Sequence, residues 1–141
     1  MIKKPYFLLV LIILILFGYI FINKNNQTRR EPGMTLLKGK LVESFPQLPV
    51  YPGSSVEKSY KKVAGARVGY EAEYLTDKSP KEAMLWYKDE LTKQGWTIIS
   101  EEIEDVEGEF SLMLEKNGEK VNVFAENEDG KTEISIEFPL Q

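Results

Sequence analysis

The chain has 141 residues, enough for one small domain plus an appendage, and carries a formal net charge of −4. It contains no Cys and no His, which excludes disulfides, thiolate nucleophiles and thiolate metal sites, the commonest general base and zinc ligand, and a lipid-bearing Cys. The charge is lopsided: residues 1–40 hold seven bases against one acid, and residues 41–141 hold 11 bases against 21 acids. A basic head suits a membrane flank, and an acidic remainder is repelled by anionic lipid and by nucleic acid, so no nucleic-acid partner is expected.

Tyr6 to Ile22 is an uncharged run of 17 residues. As a helix it would span roughly 25 Å, near the lower limit for a hydrocarbon core about 30 Å thick. Lys4 and Lys24 flank the run, and Tyr6, Tyr19 and Phe21 sit near its ends, where snorkelling amines and interfacial aromatics belong. The stretch is longer than a signal-peptide core, and Asn23-Lys-Asn-Asn-Gln-Thr28 offers no small-x-small cleavage site. No acid precedes Glu31, which argues against a pilin-like leader. The sequence therefore predicts an uncleaved transmembrane anchor over residues 1–23, touching the lipid bilayer through Tyr6 to Ile22. Both flanks are basic. The signal-anchor pattern, two Lys and then the apolar run, favours a single-pass protein of the cell membrane with its domain on the extracytoplasmic side.

Residues 24–45 are mostly polar, with a weak Leu36-Leu37 patch, and read as a stalk. Pro46-Gln-Leu-Pro-Val-Tyr-Pro-Gly53 is held extended by its prolines and predicts a segment laid across the domain edge, with Leu48, Val50 and Tyr51 tucked in. Val56 to Lys62 and Arg67 to Leu75 alternate about the turn Ala64-Gly-Ala66, predicting a β-hairpin. Val68, Tyr70, Ala72 and Tyr74 fall on one face of its second strand, Glu71 and Glu73 on the other.

Ser79-Pro-Lys-Glu82 combines an N-cap, a proline at the first helical position and a capping box. The helix it opens carries Ala83, Met84, Tyr87 and Leu91 on one stripe with Trp86 beside it, and Gly95 ends it. Trp96 to Ile103 is a further strand. Two more hairpin turns follow at Asn117-Gly118 and Asp129-Gly130, with Phe110, Leu112, Leu114, then Val121, Val123, Ala125, then Ile134, Ile136, Phe138 alternating. The expected fold class is α+β: an N-terminal transmembrane helix, then a two-layer domain at 46–141 with one helix on an antiparallel sheet, in the order β-β-α-β-β-β-β. Alternation leaves the other face of that sheet wet.

Candidate chemistry is sparse. Glu101, Glu102, Glu104, Asp105, Glu107 and Glu109 crowd one strand end and the loop after it. Paired carboxylates there could serve hydrolysis, or a Ca²⁺-dependent site, if one lay in an apolar setting. Glu126-Asn-Glu-Asp-Gly130 is rich in oxygen ligands but lacks EF-hand spacing. Lys58, Lys61, Lys62 and Arg67, near Tyr60 and Tyr70, form a basic patch able to meet an anionic polymer or headgroup. No Gly-x-Ser-x-Gly elbow or phosphate loop occurs. No catalytic residue, cofactor or metal ligand is assigned. The expected function is a non-enzymatic, tethered domain that binds a protein or an envelope polymer through a sheet edge or its acidic face. The alternative is a small hydrolase or Ca²⁺ site on the loop 101–109.

Val50-Tyr-Pro-Gly-Ser54, Tyr74-Leu-Thr76, Trp86-Tyr-Lys-Asp-Glu-Leu91 and Gln94-Gly-Trp96 form a spaced pattern. It resembles small bacterial membrane-tethered domains of unassigned function that share the order Tyr-Pro-Gly, Tyr-x-Thr, Trp-Tyr-x-x-x-Leu and Gly-Trp. The resemblance implies an intact fold and carries no catalytic residue.

Overall fold

A computed structural model describes residues 33–104 and 108–141. Its elements run β1 (Met34–Lys38), β2 (Ser55–Ala64), β3 (Arg67–Thr76), α1 (Pro80–Lys93), β4 (Thr97–Glu104), β5 (Glu109–Lys116), β6 (Glu119–Glu128) and β7 (Lys131–Phe138). The strands form one seven-stranded sheet in the order β1-β2-β3-β7-β6-β5-β4, with every neighbouring pair antiparallel. Two meanders, β1-β2-β3 and β4-β5-β6-β7, meet along the β3–β7 seam, and α1 carries the chain from one to the other.

Local chemistry sets these elements. Ser79 Oγ accepts from Glu82 N at 3.2 Å while Glu82 Oε2 accepts from Ser79 N at 3.3 Å, the reciprocal capping box. At the other end Trp96 N donates to Leu91 O and Gly95 N to Thr92 O, both at 3.0 Å, with Gly95 at φ +87°. This paired closure is a Schellman motif, which a left-handed glycine permits. Asn117-Gly118 and Asp129-Gly130 all adopt positive φ, as two-residue hairpins of this twist require.

The core lies between α1 and one face of the sheet. Ala83, Met84, Tyr87 and Leu91 pack against Leu112 and Leu114 of β5, Val121, Val123 and Ala125 of β6, Ile134 and Ile136 of β7, and Ala72 and Tyr74 of β3. Each such aliphatic side chain contributes about 1.5–3 kcal/mol when fully buried. Segment 39–54 covers the remainder of this inner face. Phe45 meets Tyr70 and Phe138 edge-on, each at 5.9 Å between ring centroids. Tyr51 packs edge-on against Trp86 at 5.3 Å and donates its N–H to Tyr87 Oη at 3.2 Å. Buried Ser59 fastens the segment to β2: its Oγ accepts from Val42 N at 2.8 Å and donates to Lys40 O at 2.9 Å.

Three expectations are corrected. The element order is β-β-β-α-β-β-β-β, because Met34–Lys38, inside the stretch read as a stalk, pairs along β2 from Met34↔Lys62 to Lys38↔Lys58. Its five residues show no alternation because both Leu36 and Leu37 are half-buried, and that is why it does not read as a strand. The expected transmembrane helix is not part of the described fold: no helix among the described residues is long and apolar enough to cross a membrane. The stretch Tyr6 to Ile22 lies outside those residues, and its bilayer contact finds no support among them. Finally, Val50 is 45 % exposed rather than tucked in, whereas Tyr51 is buried.

Candidate functional site

The outer face of the sheet is strongly acidic. Its outward positions include Glu71 and Glu73 on β3, Glu133 and Glu137 on β7, and Glu126 and Glu128 on β6, and the register sets Glu71 opposite Glu137 and Glu126 opposite Glu133. Like charges directly opposite repel, so this face is kept against a local cost. Two lysines on β2 offset part of it: Lys58 Nζ lies 2.5 Å from Glu73 Oε2, and Lys62 Nζ lies 3.0 Å from Glu71 Oε2.

Towards β4 the face sinks into a depression of about 410 Å³, lined by Glu71, Glu102, Glu109, Ser111, Phe124, Glu126 and Ser135 among others. Five neighbouring strands contribute: β3, β7, β6, β5 and β4. Hairpin register puts the residues there. Glu102 sits opposite Ser111, and Ser111 opposite Phe124, which in turn faces Ser135. Phe124 is 42 % exposed, an aromatic surface ringed by four carboxylates. Among the described residues no lysine or arginine forms an ion pair with Glu102, Glu109 or Glu126.

On the seam side the charges are packed more tightly. Glu73 is only 7 % exposed. Its Oε2 is paired with the Lys58 ammonium at 2.5 Å. Contact with Glu73 raises Lys58 above the ordinary lysine range, against the opposing effect of its own burial. Burial, then a shared hydrogen bond with Glu128 and the charges of Glu73 and Glu128, push Glu133 up to about 8.

The residues singled out by sequence are dispersed. The loop 101–109 does not act as a unit: Glu101 turns to the helix side, where its Oε2 accepts from Lys88 Nζ at 2.6 Å, while Glu102 and Glu109 line the outer depression. Residues 105–107 lie outside the described residues. The basic patch comes apart as well: Lys58 and Lys62 are bound to carboxylates, and Lys61 lies over the Tyr70 ring at 5.7 Å. Glu126 joins the depression, and Glu128 shares a hydrogen bond with Glu133. Sequence reasoning missed Phe124 and the buried Glu73. The one signal for Phe124 was a large aromatic at a wet position of an alternating strand.

A family model described as START domain-like matches residues 56–131, from the second strand into the last hairpin. It spans Tyr74-Leu-Thr76, Trp86 to Leu91 and Gly95-Trp96, while Tyr51-Pro-Gly53 precedes it. No curated protein and no solved structure matches the chain.

Proposed function

Since the chain belongs to the START domain-like family, we propose that it is a small non-enzymatic binding domain whose contact surface is the acidic depression on the outer face, and that its partner is a basic protein segment. The observation that carries this reading is the set of four carboxylates around the exposed Phe124 in one depression of about 410 Å³. Lys or Arg side chains of an extended segment would meet the carboxylates, and their methylene stems or a neighbouring apolar side chain would lie on Phe124. Adjacent strands lie roughly 4.8 Å apart, so five of them offer several successive side chains a place. The absence of Cys and His from the sequence and the turning of Glu101 away from Glu102 support a binding role over hydrolysis on the 101–109 loop.

The test is fluorescence anisotropy of a labelled Lys/Arg-rich peptide with the full-length protein. Binding should weaken at least about tenfold as salt rises and the Debye length shrinks from about 10 to 3 Å. Glu102→Gln with Glu126→Gln should weaken it about 2- to 10-fold, at 0.2–1 kcal/mol per exposed pair. Phe124→Ser should weaken it independently of salt. Equal affinity in the double Gln variant and the wild type refutes the site.

A further inference from the structure

The depression has a counterpart elsewhere on the same chain. Beyond the last pair of the β3–β7 ladder, Tyr70↔Phe138, the β2–β3 hairpin runs on to a turn at Gly65. That tip stands in solvent. Lys62, Val63, Ala64, Gly65, Ala66 and Arg67 are all exposed, and a methyl group added at Gly65 would meet nothing within 4 Å. Val63 is 43 % exposed, a large apolar side chain left in water. Among the described residues Arg67 forms no ion pair, and Lys61, which lies over the Tyr70 ring, forms none either. The tip is therefore small, apolar and cationic at once.

These properties complement the depression, where Glu71, Glu102, Glu109 and Glu126 surround the exposed Phe124. Ala64-Gly65-Ala66 carries no side chain larger than a methyl group, so the turn can approach a sheet surface closely. Val63 can then lie on the Phe124 ring while the Arg67 guanidinium reaches the carboxylates. One molecule does not make this contact with itself. The ladder from Tyr70↔Phe138 to Thr76↔Thr132 holds the hairpin within the sheet, whereas the depression opens on the sheet's outer face.

We propose that the occupant of the depression is the β2–β3 hairpin tip of a second copy of this chain, with Val63 on Phe124 and Arg67 paired to Glu102 and Glu126. This rests on the reading of the depression as a binding surface, and it names the basic segment which that reading requires. Tip and depression are different surfaces, so the contact is heterologous: each copy gives its tip to one neighbour and accepts a tip from another. A turn and a few side chains bury well under the roughly 1,200 Å² of a standard interface. Association is accordingly transient, with Kd on the order of 10⁻⁴ M.

Sedimentation equilibrium of the full-length protein tests this. The average mass should rise above that of the monomer with concentration, and salt that shortens the Debye length to about 3 Å should weaken association several-fold. Arg67→Glu, at an exposed turn that does not threaten folding, should weaken it at least about tenfold by setting like charges together. Glu102→Lys with Glu126→Lys should do the same from the other side. An equimolar mixture of the two variants should regain association, because one keeps an intact depression and the other an intact tip. The proposal is overturned if the wild type stays monomeric up to about 1 mM, if Arg67→Glu associates as the wild type does, or if the mixture associates no better than either variant alone. A wild type that binds the Lys/Arg-rich peptide but stays monomeric refutes the tip as occupant and leaves the depression as a binding surface. If the peptide does not bind either, both readings fail.

Discussion

Replacing Ser59 by Ala should destabilise the domain by about 2–3 kcal/mol through a single hydroxyl. Ser59 has no exposed surface, and its Oγ serves two backbone groups 17 and 19 residues away, Val42 N and Lys40 O. Alanine removes both partners. Val42 is buried at 3 % exposure, so its N–H would face apolar surroundings at about 1–3 kcal/mol. The Lys40 carbonyl belongs to an exposed residue and regains water, which limits its loss to about 0.5–1 kcal/mol. The compact unit, Pro32–Gln141, is of a size at which each kcal/mol lowers Tm by about 4–8 °C, so a fall of about 8–24 °C is expected in a thermal melt followed by circular dichroism. Hydrogen exchange should show protection lost first at Val42 and along β1. A Tm within about 2 °C of wild type would mean that segment 39–54 is not held by this hydroxyl, and the account of how it covers the inner face would fail.

Glu133→Gln should alter the pH dependence of stability. Glu133 titrates at about 8 in the folded protein against an ordinary 4.5, so between those values the folded state holds a proton that the unfolded chain has released. The stability this proton brings is fully present below about 4.5 and is lost as pH rises towards 8. Solvent screening at a partly exposed group reduces the effect to about 1–2 kcal/mol. The Gln variant should therefore gain on the wild type progressively from pH 5 to about pH 9 in urea titrations, and parallel curves would contradict the assignment. Tyr87→Phe should lower stability by about 1–2 kcal/mol, because the Tyr51 N–H loses its acceptor in a buried setting. Urea unfolding checks it, and an unchanged midpoint would show that this hydrogen bond adds nothing.

What could be read from the sequence follows how local its cause is. The capping box at Ser79 and Glu82, the Gly95 stop and the two Asn/Asp-Gly turns are decided within a few residues, and each forms as its residues dictate. The stripe Ala83, Met84, Tyr87 and Leu91 is buried for the same reason: helical spacing alone selects a face. β1 was not legible because five edge residues with adjacent half-buried leucines carry no period, and only the pairing with β2 makes them a strand. Alternation put Glu73 on the wet side of β3, and it does point to the outer face. Its burial comes from neighbours on β2 and β7, a bulge and a seam that no single-strand pattern contains. The depression is non-local in the same way: Glu71 and Glu102 are far apart in sequence and share a surface only because the β3–β7 pairing joins the two meanders into one sheet.

The strand order has a consequence for synthesis. β7 is the seventh strand made, yet it occupies the fourth place in the sheet, with three strands on either side. The first meander can assemble early, since β1, β2 and β3 are joined by short-range pairing, but its β3 edge stays open while α1 and the next three strands are made. That nascent edge presents Tyr70, Ala72 and Tyr74 without cover until Lys131–Phe138 arrives to zip the halves together. A stalled or nicked chain lacking the last strand would leave two unjoined edges, each a template for pairing with another molecule. Closure of the sheet thus waits on its most central strand, the last of the seven to be made.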